Sequence, residues 1–309
     1  MKCNRKFTKI IFLGRLGKMN HEIRFLVLIH REFRTQGGIA VLKYRLVATD
    51  LDGTLLDDEK RISSRTKEAI TEYQRRGGIF TIATGRKDDS ARKFAEMIRV
   101  TAPVVASNGA KVLNFTKNEV LQESFMDTEL AAKAYTALRT LKKDIIIYSD
   151  GKPFISGITP ITSRYLDRVE IAMRVLDDVR DLAGHIVTKI LVIDPLHEFD
   201  KMEKLVAPIF GEYLNAINSD DDFLELLPPG VSKGTGLMVV ADTLGIPMAE
   251  TIAIGDHLND ISMIQAAGLG IAVENAREEV RRAADRITAD NNHDGVAIVI
   301  EKLLAGELL

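Results

Sequence analysis

The chain has 309 residues, 46% of them hydrophobic and 28% charged, and this length predicts about two globular domains. The 42 Lys and Arg residues nearly balance the 44 Asp and Glu residues, so the net charge of -2 gives no electrostatic basis for binding nucleic acid or a membrane surface. The single cysteine, Cys3, excludes disulfides within the chain and cysteine-rich zinc sites.

The first forty residues differ from the rest of the chain in charge. They hold nine basic and two acidic residues, a net charge of +7, so the remaining residues carry -9. They contain no serine and no long apolar run, which argues against a transit peptide and a secretory signal. We therefore expect residues 1–42 to be an extension outside the fold and the protein to be cytoplasmic. Codons for the Gln-Gly-Gly run at 36–38 can form a ribosome-binding signal, so we expect translation to start near Val41 or Leu42.

Strands and helices then alternate along the chain. A short apolar run over 46–49 enters Asp50 and predicts a buried parallel strand. Ser63 or Ser64 can cap one helix and Asp88 or Asp89 the next, and the pair Gly77-Gly78 predicts the end of the first helix. After that first strand, the sequence up to 109 predicts a helix, a second strand, a second helix, a third strand and a turn, over 63–76, 79–83, 88–99, 104–106 and 107–109.

The same alternation returns near the C terminus. It predicts a helix, a strand, a short helix and another strand, over 234–244, 251–254, 260–267 and 270–273. Strands that alternate with helices favour an α/β fold with a doubly wound, Rossmann-like parallel sheet. We expect residues 43–127 and 229–309 to form this core domain.

The middle of the chain, residues 128–228, has a different pattern. A helix-like stretch over 129–142 is followed by strand-like stretches over 144–148, 187–193 and 223–227. No cluster of catalytic residue types stands out there, and the Pro-Pro-Gly run at 228–230 is typical of a hinge. We expect a separate α+β domain inserted into the core.

Two pairs of carboxylates follow predicted strands. Asp50 and Asp52 are two residues apart, so on an extended chain they face the same side at the end of the sheet where such folds bind ligands. Asp256 and Asp260 follow the strand over 251–254. If the two strands are neighbours, four carboxylates converge, and two unit charges 4 Å apart repel by about 4 kcal/mol at an effective dielectric of 20. Such a cluster requires a cation, and oxygen ligands alone favour Mg²⁺.

Phosphoryl transfer is a reaction that uses these groups together. An ionised carboxylate is a nucleophile without a separate base, while a metal and a lysine neutralise the transferring group. Thr84 ends the second strand, where its hydroxyl can bond to a phosphate oxygen, and Lys233 can supply the fixed positive charge. Arg86 either contacts substrate or lies on the surface. His257 lies within the second acidic segment, but without a second histidine nearby we do not expect it to bind metal.

These residues stand in motifs that resemble those of the haloacid dehalogenase superfamily, specifically its Cof-type phosphatases with a type IIB cap. The four motifs occur in order: Asp50-Leu51-Asp52-Gly53-Thr54, Thr84-Gly85-Arg86, Lys233 and Gly255-Asp256-His257-Leu258-Asn259-Asp260. Two segments typical of the subgroup are also present: Ser107-Asn108-Gly109-Ala110 and Asn292-His293-Asp294-Gly295-Val296-Ala297. The resemblance covers about 43–309, and four motifs in order are far more specific than one.

The resemblance implies the roles of the carboxylates. Asp50 would be the nucleophile and form an aspartyl-phosphate. Asp52 would be the general acid and base, with a pKa raised by the neighbouring like charges. Mg²⁺ would be held by Asp50, Asp256 and the backbone carbonyl of Asp52, with Asp260 in support.

The resemblance also implies which residues bind substrate. Thr84 and Lys233 would bind the phosphate, Asn259 would face the substrate, and Arg86 is a further candidate for substrate contact. The segment 128–228 would be the mobile cap that excludes water and selects the leaving group.

The sequence therefore predicts a Mg²⁺-dependent phosphatase of small phosphorylated metabolites, either sugar phosphates or phosphorylated cofactors. One alternative is a phosphomutase of the same superfamily, which would reuse the aspartyl-phosphate. The other is a phospho-accepting signalling protein, which also uses Asp, Mg²⁺, Thr and Lys but needs neither the Asp pair on one strand nor a large inserted domain. The substrate and the oligomeric state are left open.

Overall fold

The computed structural model describes residues 42–149, 152–169, 174–176, 178–182 and 184–307. The extension expected over 1–42 and the expected translation start at Val41 lie outside these residues, with the exception of Leu42. Leu42 packs against the main hydrophobic core. Residues 42–309 form one compact unit.

The described residues hold fourteen strands and nine α-helices. Strands β1 to β14 are Leu46–Thr49, Ile79–Ile82, Val104–Ala106, Lys111–Asn114, Glu119–Glu123, Asp144–Ser149, Lys152–Ile155, Arg174–Val175, Val187–Ile193, Ala216–Asp220, Phe223–Leu226, Thr251–Gly255, Leu269–Val273 and Arg286–Thr288. Helices α1 to α9 are Ser64–Arg75, Asp88–Met97, Thr128–Arg139, Pro160–Val169, Phe199–Phe210, Lys233–Thr243, Ile261–Ala266, Glu278–Ala283 and Gly295–Ala305. None of these helices combines the length and the apolar character needed to cross a membrane.

Five parallel strands form the central sheet, in the order β14-β13-β12-β1-β2. Strands β1, β12 and β13 are buried along their whole length, because helices cover both faces of the sheet. Val47 and Ile252 pack with α1 and α9 on one face, while Ala48 and Ala253 pack with α6 on the other. The predicted doubly wound α/β core is therefore confirmed. Its strand order reverses between β1 and β12, where such sheets bind ligands.

Six strands form a second sheet, in the order β10-β11-β9-β6-β7-β8. All neighbouring pairs are antiparallel except β7 and β8. Helices α3 and α5 cover one face with a hydrophobic cluster. The opposite face carries Tyr148 and Lys189, which are paired across β6 and β9, and Glu225, which is paired with Leu191. This sheet lies inside the segment 128–228, whose boundaries as a separate domain stay a prediction.

Several element ends differ from the sequence-based expectation. Helix α1 is capped by the Ser63 side chain as predicted. The cap position of helix α2 is occupied by Lys87 instead of the predicted Asp88 or Asp89. Both aspartates lie in the first turn, where their negative charges stabilise the helix by interacting with the positive end of its dipole. Helix α6 begins at Lys233, one residue earlier than predicted, because Ser232 forms a capping box with the third helical residue.

Candidate active site

A buried lysine joins two carboxylates at the carboxyl ends of β1 and β12. Lys233 Nζ lies 2.6 Å from Asp50 Oδ1 and 2.6 Å from Asp260 Oδ1, and all three side chains are buried. The lysine opens α6, and Ser232 fixes that helix start by accepting a hydrogen bond from Thr235 N. Burial lowers the pKa of Lys233, but the two carboxylates outweigh burial and hold that pKa above its ordinary value. Lys233 is therefore a fixed positive charge at this end of the sheet.

Asp256, which follows β12, is held at the same edge of the sheet by the loop after β1. Thr54 Oγ1 donates a hydrogen bond to Asp256 Oδ1 at 2.5 Å. Gly53 has a φ of +76°, which favours glycine, and a Cβ at this position would lie 2.5 Å from Asp256 Oδ2. Asp260 Oδ2 accepts hydrogen bonds from the backbone N–H groups of Asp256 and His257, at 2.9 and 3.0 Å. Asp260 thus supports the loop that presents Asp256.

Three carboxylates lie within reach of one cation. Oxygens of Asp50, Asp256 and Asp260 are all within 4.8 Å of one another. Asp50 Oδ2 and Asp256 Oδ2 accept no hydrogen bond within the part of the chain that the structure describes. Burial raises the pKa of Asp50 well above its ordinary value, and burial together with the charge of Asp260 raises the pKa of Asp256 to about 7. Binding a hard cation such as Mg²⁺ would relieve this unfavourable charge, so the donor set fits the metal.

Asp52 makes its hydrogen bonds to basic side chains. Arg86 donates through Nε to Asp52 Oδ2 at 2.6 Å and through Nη2 to Oδ1 at 2.7 Å, and Lys60 Nζ lies 2.9 Å from Oδ1. Burial raises the pKa of Asp52, but the hydrogen bonds and charges of Arg86 and Lys60 outweigh burial and lower it to about 2. The raised pKa expected from the sequence is wrong here, because the groups in contact with Asp52 are cations.

Thr84 lies at the same edge of the sheet, just after β2. Its side chain is buried, and its hydroxyl oxygen accepts a hydrogen bond from Arg86 N at 3.1 Å. The backbone N–H of Asn108 donates to the Thr84 carbonyl at 3.0 Å. Gly85 allows this approach, because a Cβ there would lie 3.2 Å from the Asn108 side-chain amide. The Thr84 hydroxyl donates to no residue that the structure describes, which leaves its proton for a ligand.

Four buried polar side chains link the core to the second sheet. Lys189 Nζ lies 2.8 Å from Glu225 Oε1, Asn108 Nδ2 donates to Glu225 Oε2 at 2.9 Å, and Asn259 Nδ2 donates to Asn108 Oδ1 at 2.9 Å. The sequence predicted that Asn259 faces the substrate and that Asn108 lies in a turn. The φ of 55° at Asn108 agrees with a turn. Sequence reasoning did not single out Lys189 or Glu225. The available signal was a charged residue within each of two otherwise mainly apolar strands.

Two further contacts join the core to the second sheet beside the site. His257 Nδ1 donates a hydrogen bond to the backbone carbonyl of Asn218 at 3.1 Å. Arg277 forms an ion pair with Asp221, in the turn that follows the same strand. His257 is not among the three residues grouped around the possible cation position in the described chain. It contacts the second sheet through the backbone of β10.

Known proteins are similar to this chain in both sequence and fold. Residues 47–300 match the family of haloacid dehalogenase-like hydrolases. The 5-amino-6-(5-phospho-D-ribitylamino)uracil phosphatase YcsE of Bacillus subtilis is 30% identical over 83% of this chain and 94% of its own length. A haloacid dehalogenase-like hydrolase from Bacteroides thetaiotaomicron has 31% identity and a TM-score of 0.73, covering 84% of this chain and 99% of that one. The subclass IIB sugar phosphatase BT4131 has the same TM-score at 24% identity, over 83% of this chain and 98% of its own, which supports the fold alone.

Proposed function

Because the chain belongs to the haloacid dehalogenase-like hydrolases and is a phosphatase of that family, we propose that it hydrolyses small phosphorylated metabolites with Mg²⁺ through an aspartyl-phosphate. One observation carries the proposal: the Lys233 ammonium contacts both Asp50 and Asp260, beside the third carboxylate, Asp256. A fixed cation next to a nucleophilic carboxylate and a metal-binding group is what a phosphate dianion requires.

We propose that Mg²⁺ is held by Asp50, Asp256 and the backbone carbonyl of Asp52. Both oxygens of Asp260 already accept hydrogen bonds from Lys233 or from the loop backbone, so Asp260 acts in support. When bound, the metal would neutralise charge on the transferring phosphoryl group.

The nucleophile is Asp50. Its Oδ1 is held by Lys233, which favours the ionised carboxylate, while Oδ2 remains available. The Asp50 carboxylate attacks phosphorus, the bond from phosphorus to the alcohol oxygen breaks, and the phosphoryl group stays on Asp50. Water then attacks this aspartyl-phosphate, which releases inorganic phosphate and restores the carboxylate. Thr84 and Lys233 bind the phosphoryl oxygens during both steps.

Asp52 transfers the proton in both steps. In the second step its ionised carboxylate takes a proton from the attacking water, which its lowered pKa permits. In the first step it must carry a proton for the leaving alcohol, and the bidentate contact with Arg86 opposes this. We propose that the substrate phosphate draws Arg86 away from Asp52, which makes Arg86 a substrate-binding residue and lets the pKa of Asp52 rise.

Replacing Arg86 with glutamine should raise the pKa of Asp52 from about 2 toward its ordinary value. The charge of Arg86 and one of its two hydrogen bonds to Asp52 would be lost, while the contact with Lys60 and the effect of burial would remain. A ¹³C-carboxyl NMR titration of the metal-free protein measures this pKa directly. The control is Arg75→Gln, which removes an exposed arginine that pairs with Glu72. If the titration midpoint of Asp52 were unchanged in the Arg86→Gln variant, Arg86 would not be the cause of the lowered pKa of Asp52.

We propose residues 128–228 as the cap and residues 43–127 and 229–309 as the catalytic core, with 1–42 taking no part in catalysis. The second sheet would then lie over the site, and its contacts at Asn108 and His257 would close the cap on the core. The Bacillus relative is named for a phosphorylated ribitylaminouracil. Sugar phosphates and phosphorylated cofactors are therefore the substrates to test first.

Phosphate release should depend on Mg²⁺. In a panel of sugar phosphates and phosphorylated cofactors, we expect release with Mg²⁺ and less than about 5% of it in excess EDTA. Ca²⁺ should restore less activity than Mg²⁺, because it prefers six to eight ligands in a looser geometry and would misplace the nucleophile. Full activity in excess chelator would contradict the proposed dependence on Mg²⁺.

Two alternatives are separated by their products. A phosphomutase would convert a sugar phosphate into its isomer and release little phosphate. A phospho-accepting signalling protein would accumulate a slowly decaying phosphoprotein without turnover. The pair of aspartates two residues apart favours the phosphatase over the signalling protein, because the second carboxylate supplies the acid and base needed for turnover.

A further inference from the structure

An ion pair ties the hairpin formed by β10 and β11 to the core. Arg277 Nη2 donates to Asp221 Oδ1 in the turn of this hairpin, and the two side chains are 39% and 69% exposed. His257 Nδ1 donates to the backbone carbonyl of Asn218 in the same hairpin at 3.1 Å. The hairpin therefore lies against the loop after β12, which carries Asp256.

The segment that carries Arg277 also contacts the loops after β1 and β12. The backbone N–H of Arg277 donates to the Asp256 carbonyl at 3.0 Å, and Asn275 Nδ2 donates to the Gly53 carbonyl at 2.8 Å. Asn275 Oδ1 accepts a hydrogen bond from Asn291 N at 3.1 Å, which fixes the nitrogen end of this amide toward Gly53. The Arg277 side chain therefore starts from backbone that is held in place beside the catalytic carboxylates.

The ion pair lies at the tip of the hairpin, far along the chain from its base. The base is the Pro-Pro-Gly run at 228–230, where the sequence predicts a hinge. Seven residues separate Asp221 from Pro228, which corresponds to at most about 23 Å of extended chain at 3.3 Å per residue. A contact at the tip resists rotation about the base through a longer lever arm than a contact nearer the base, such as that between Asn108 and Glu225.

The exposure of this pair suits a contact that forms and breaks in each catalytic cycle. An exposed ion pair changes an equilibrium by about fivefold at most, whereas breaking a buried pair is far more costly. An enzyme that encloses its substrate has to open again to release product. We propose that Arg277 is a positioning residue whose ion pair with Asp221, the hairpin latch, holds the hairpin over the site and aligns it with Asp256. The effect of this latch on turnover rests on the proposed phosphatase function.

The test exchanges the two charges of the hairpin latch. Arg277→Glu and Asp221→Arg each place like charges opposite one another, and the double variant restores an ion pair of reversed polarity. With para-nitrophenyl phosphate and Mg²⁺, each single variant should raise KM by about two- to fivefold without lowering kcat, because fewer molecules are closed while the chemistry of the closed state is unchanged. The double variant should recover the wild-type KM.

Long-range attraction of the substrate would give a different pattern. A phosphate dianion is drawn toward positive charge, so without a latch Arg277→Glu would raise KM and Asp221→Arg would lower it. The hairpin latch predicts a rise in both variants. The matched control is Arg282→Glu, the same charge change on α8 at a residue that is 75% exposed and pairs with Glu278. This control should leave KM unchanged.

Amide hydrogen exchange measures opening of the hairpin without substrate or metal. Backbone amides over 256–260 should exchange about fivefold faster in each single variant and at the wild-type rate in the double variant. The buried strand β13, Leu269–Val273, should keep its rate in all three variants. A general loss of stability would instead accelerate exchange in both segments.

Each outcome decides the inference. KM changes of opposite sign in the two single variants would overturn it, as would a double variant as impaired as the single ones. Unchanged exchange over 256–260 in the single variants would also overturn it. If exchange responds as expected but wild-type protein hydrolyses no phosphate ester, the phosphatase function fails while the hairpin latch is supported.

Discussion

Asp50→Asn is expected to lower phosphate release by at least about a thousandfold, because the amide is neither an anionic nucleophile nor a good Mg²⁺ ligand. The loss should be chemical rather than structural. An asparagine oxygen can still accept the hydrogen bond that Lys233 Nζ now donates to Asp50 Oδ1 at 2.6 Å. The variant should also trap no acid-stable phosphoprotein, since the group that carries the phosphoryl is gone.

Steady-state phosphate release and a thermal unfolding curve, measured on the same preparation, check this expectation. The matched control is Asp58→Asn, which changes an exposed aspartate on the same loop that bonds to Asn291 and Asn292. That variant should keep its rate. If Asp50→Asn kept more than about 3% of wild-type activity, a loss of roughly 2 kcal/mol or less in transition-state stabilisation, Asp50 would not be the nucleophile.

The core could be predicted from sequence because its strands are buried on both faces. Runs such as 46–49 and 251–254 are apolar throughout, and a parallel strand between two helix layers demands this. The C-terminal strand β14 was not predicted. It lies at the edge of the sheet, and two of its three residues are exposed, so no apolar run marks it.

The carboxylate cluster was predictable for a related reason. Asp50 and Asp256 directly follow two strands that pair in parallel. Because parallel strands end at the same edge of a sheet, residues that follow them are expected to lie close together. The partners of Asp52 were not predictable in this way. Arg86 follows a different strand and Lys60 a turn, and which charge a side chain contacts depends on loop geometry.

The buried ion pair between Lys189 and Glu225 is the clearest case of a contact that cannot be predicted from the sequence. The two residues lie on neighbouring strands β9 and β11 and share a face only because of the register between those strands. A one-residue shift in register would move either side chain to the opposite face. Register between non-consecutive strands is set by the packing of the whole sheet, and no local pattern in the sequence reports it.

Replacing Lys233 with methionine is expected to destabilise the fold by about 3–5 kcal/mol at pH 7 and to abolish phosphate release. Methionine fills the space of the lysine stem but leaves Asp50 and Asp260 buried without their shared cation. Removing one partner of a buried ion pair leaves uncompensated charge, which costs far more than the pair contributes. The free energy of unfolding from urea denaturation, measured without metal, gives the size of the effect.

The loss in free energy of unfolding caused by Lys233→Met should become smaller as the pH falls. Burial already raises the pKa of Asp50 in the presence of Lys233, and without this cation the pKa rises further above the unfolded value of about 3.9. A carboxyl whose folded pKa exceeds its unfolded pKa destabilises the protein at high pH, and the loss is regained as the pH falls through the folded pKa. The difference between variant and wild type should therefore be smaller at pH 5 than at pH 7.

The matched control is Lys143→Met. Lys143 also joins two carboxylates, Asp194 Oδ1 at 2.7 Å and Glu198 Oε2 at 2.8 Å, and is 12% exposed, but it lies in the segment 128–228. Its loss should cost stability while phosphate release persists, because the positive charge at the reacting phosphate is untouched. A Lys233→Met variant that still turned over substrate, or whose deficit grew toward pH 5, would show that this lysine does not hold the charge of the site.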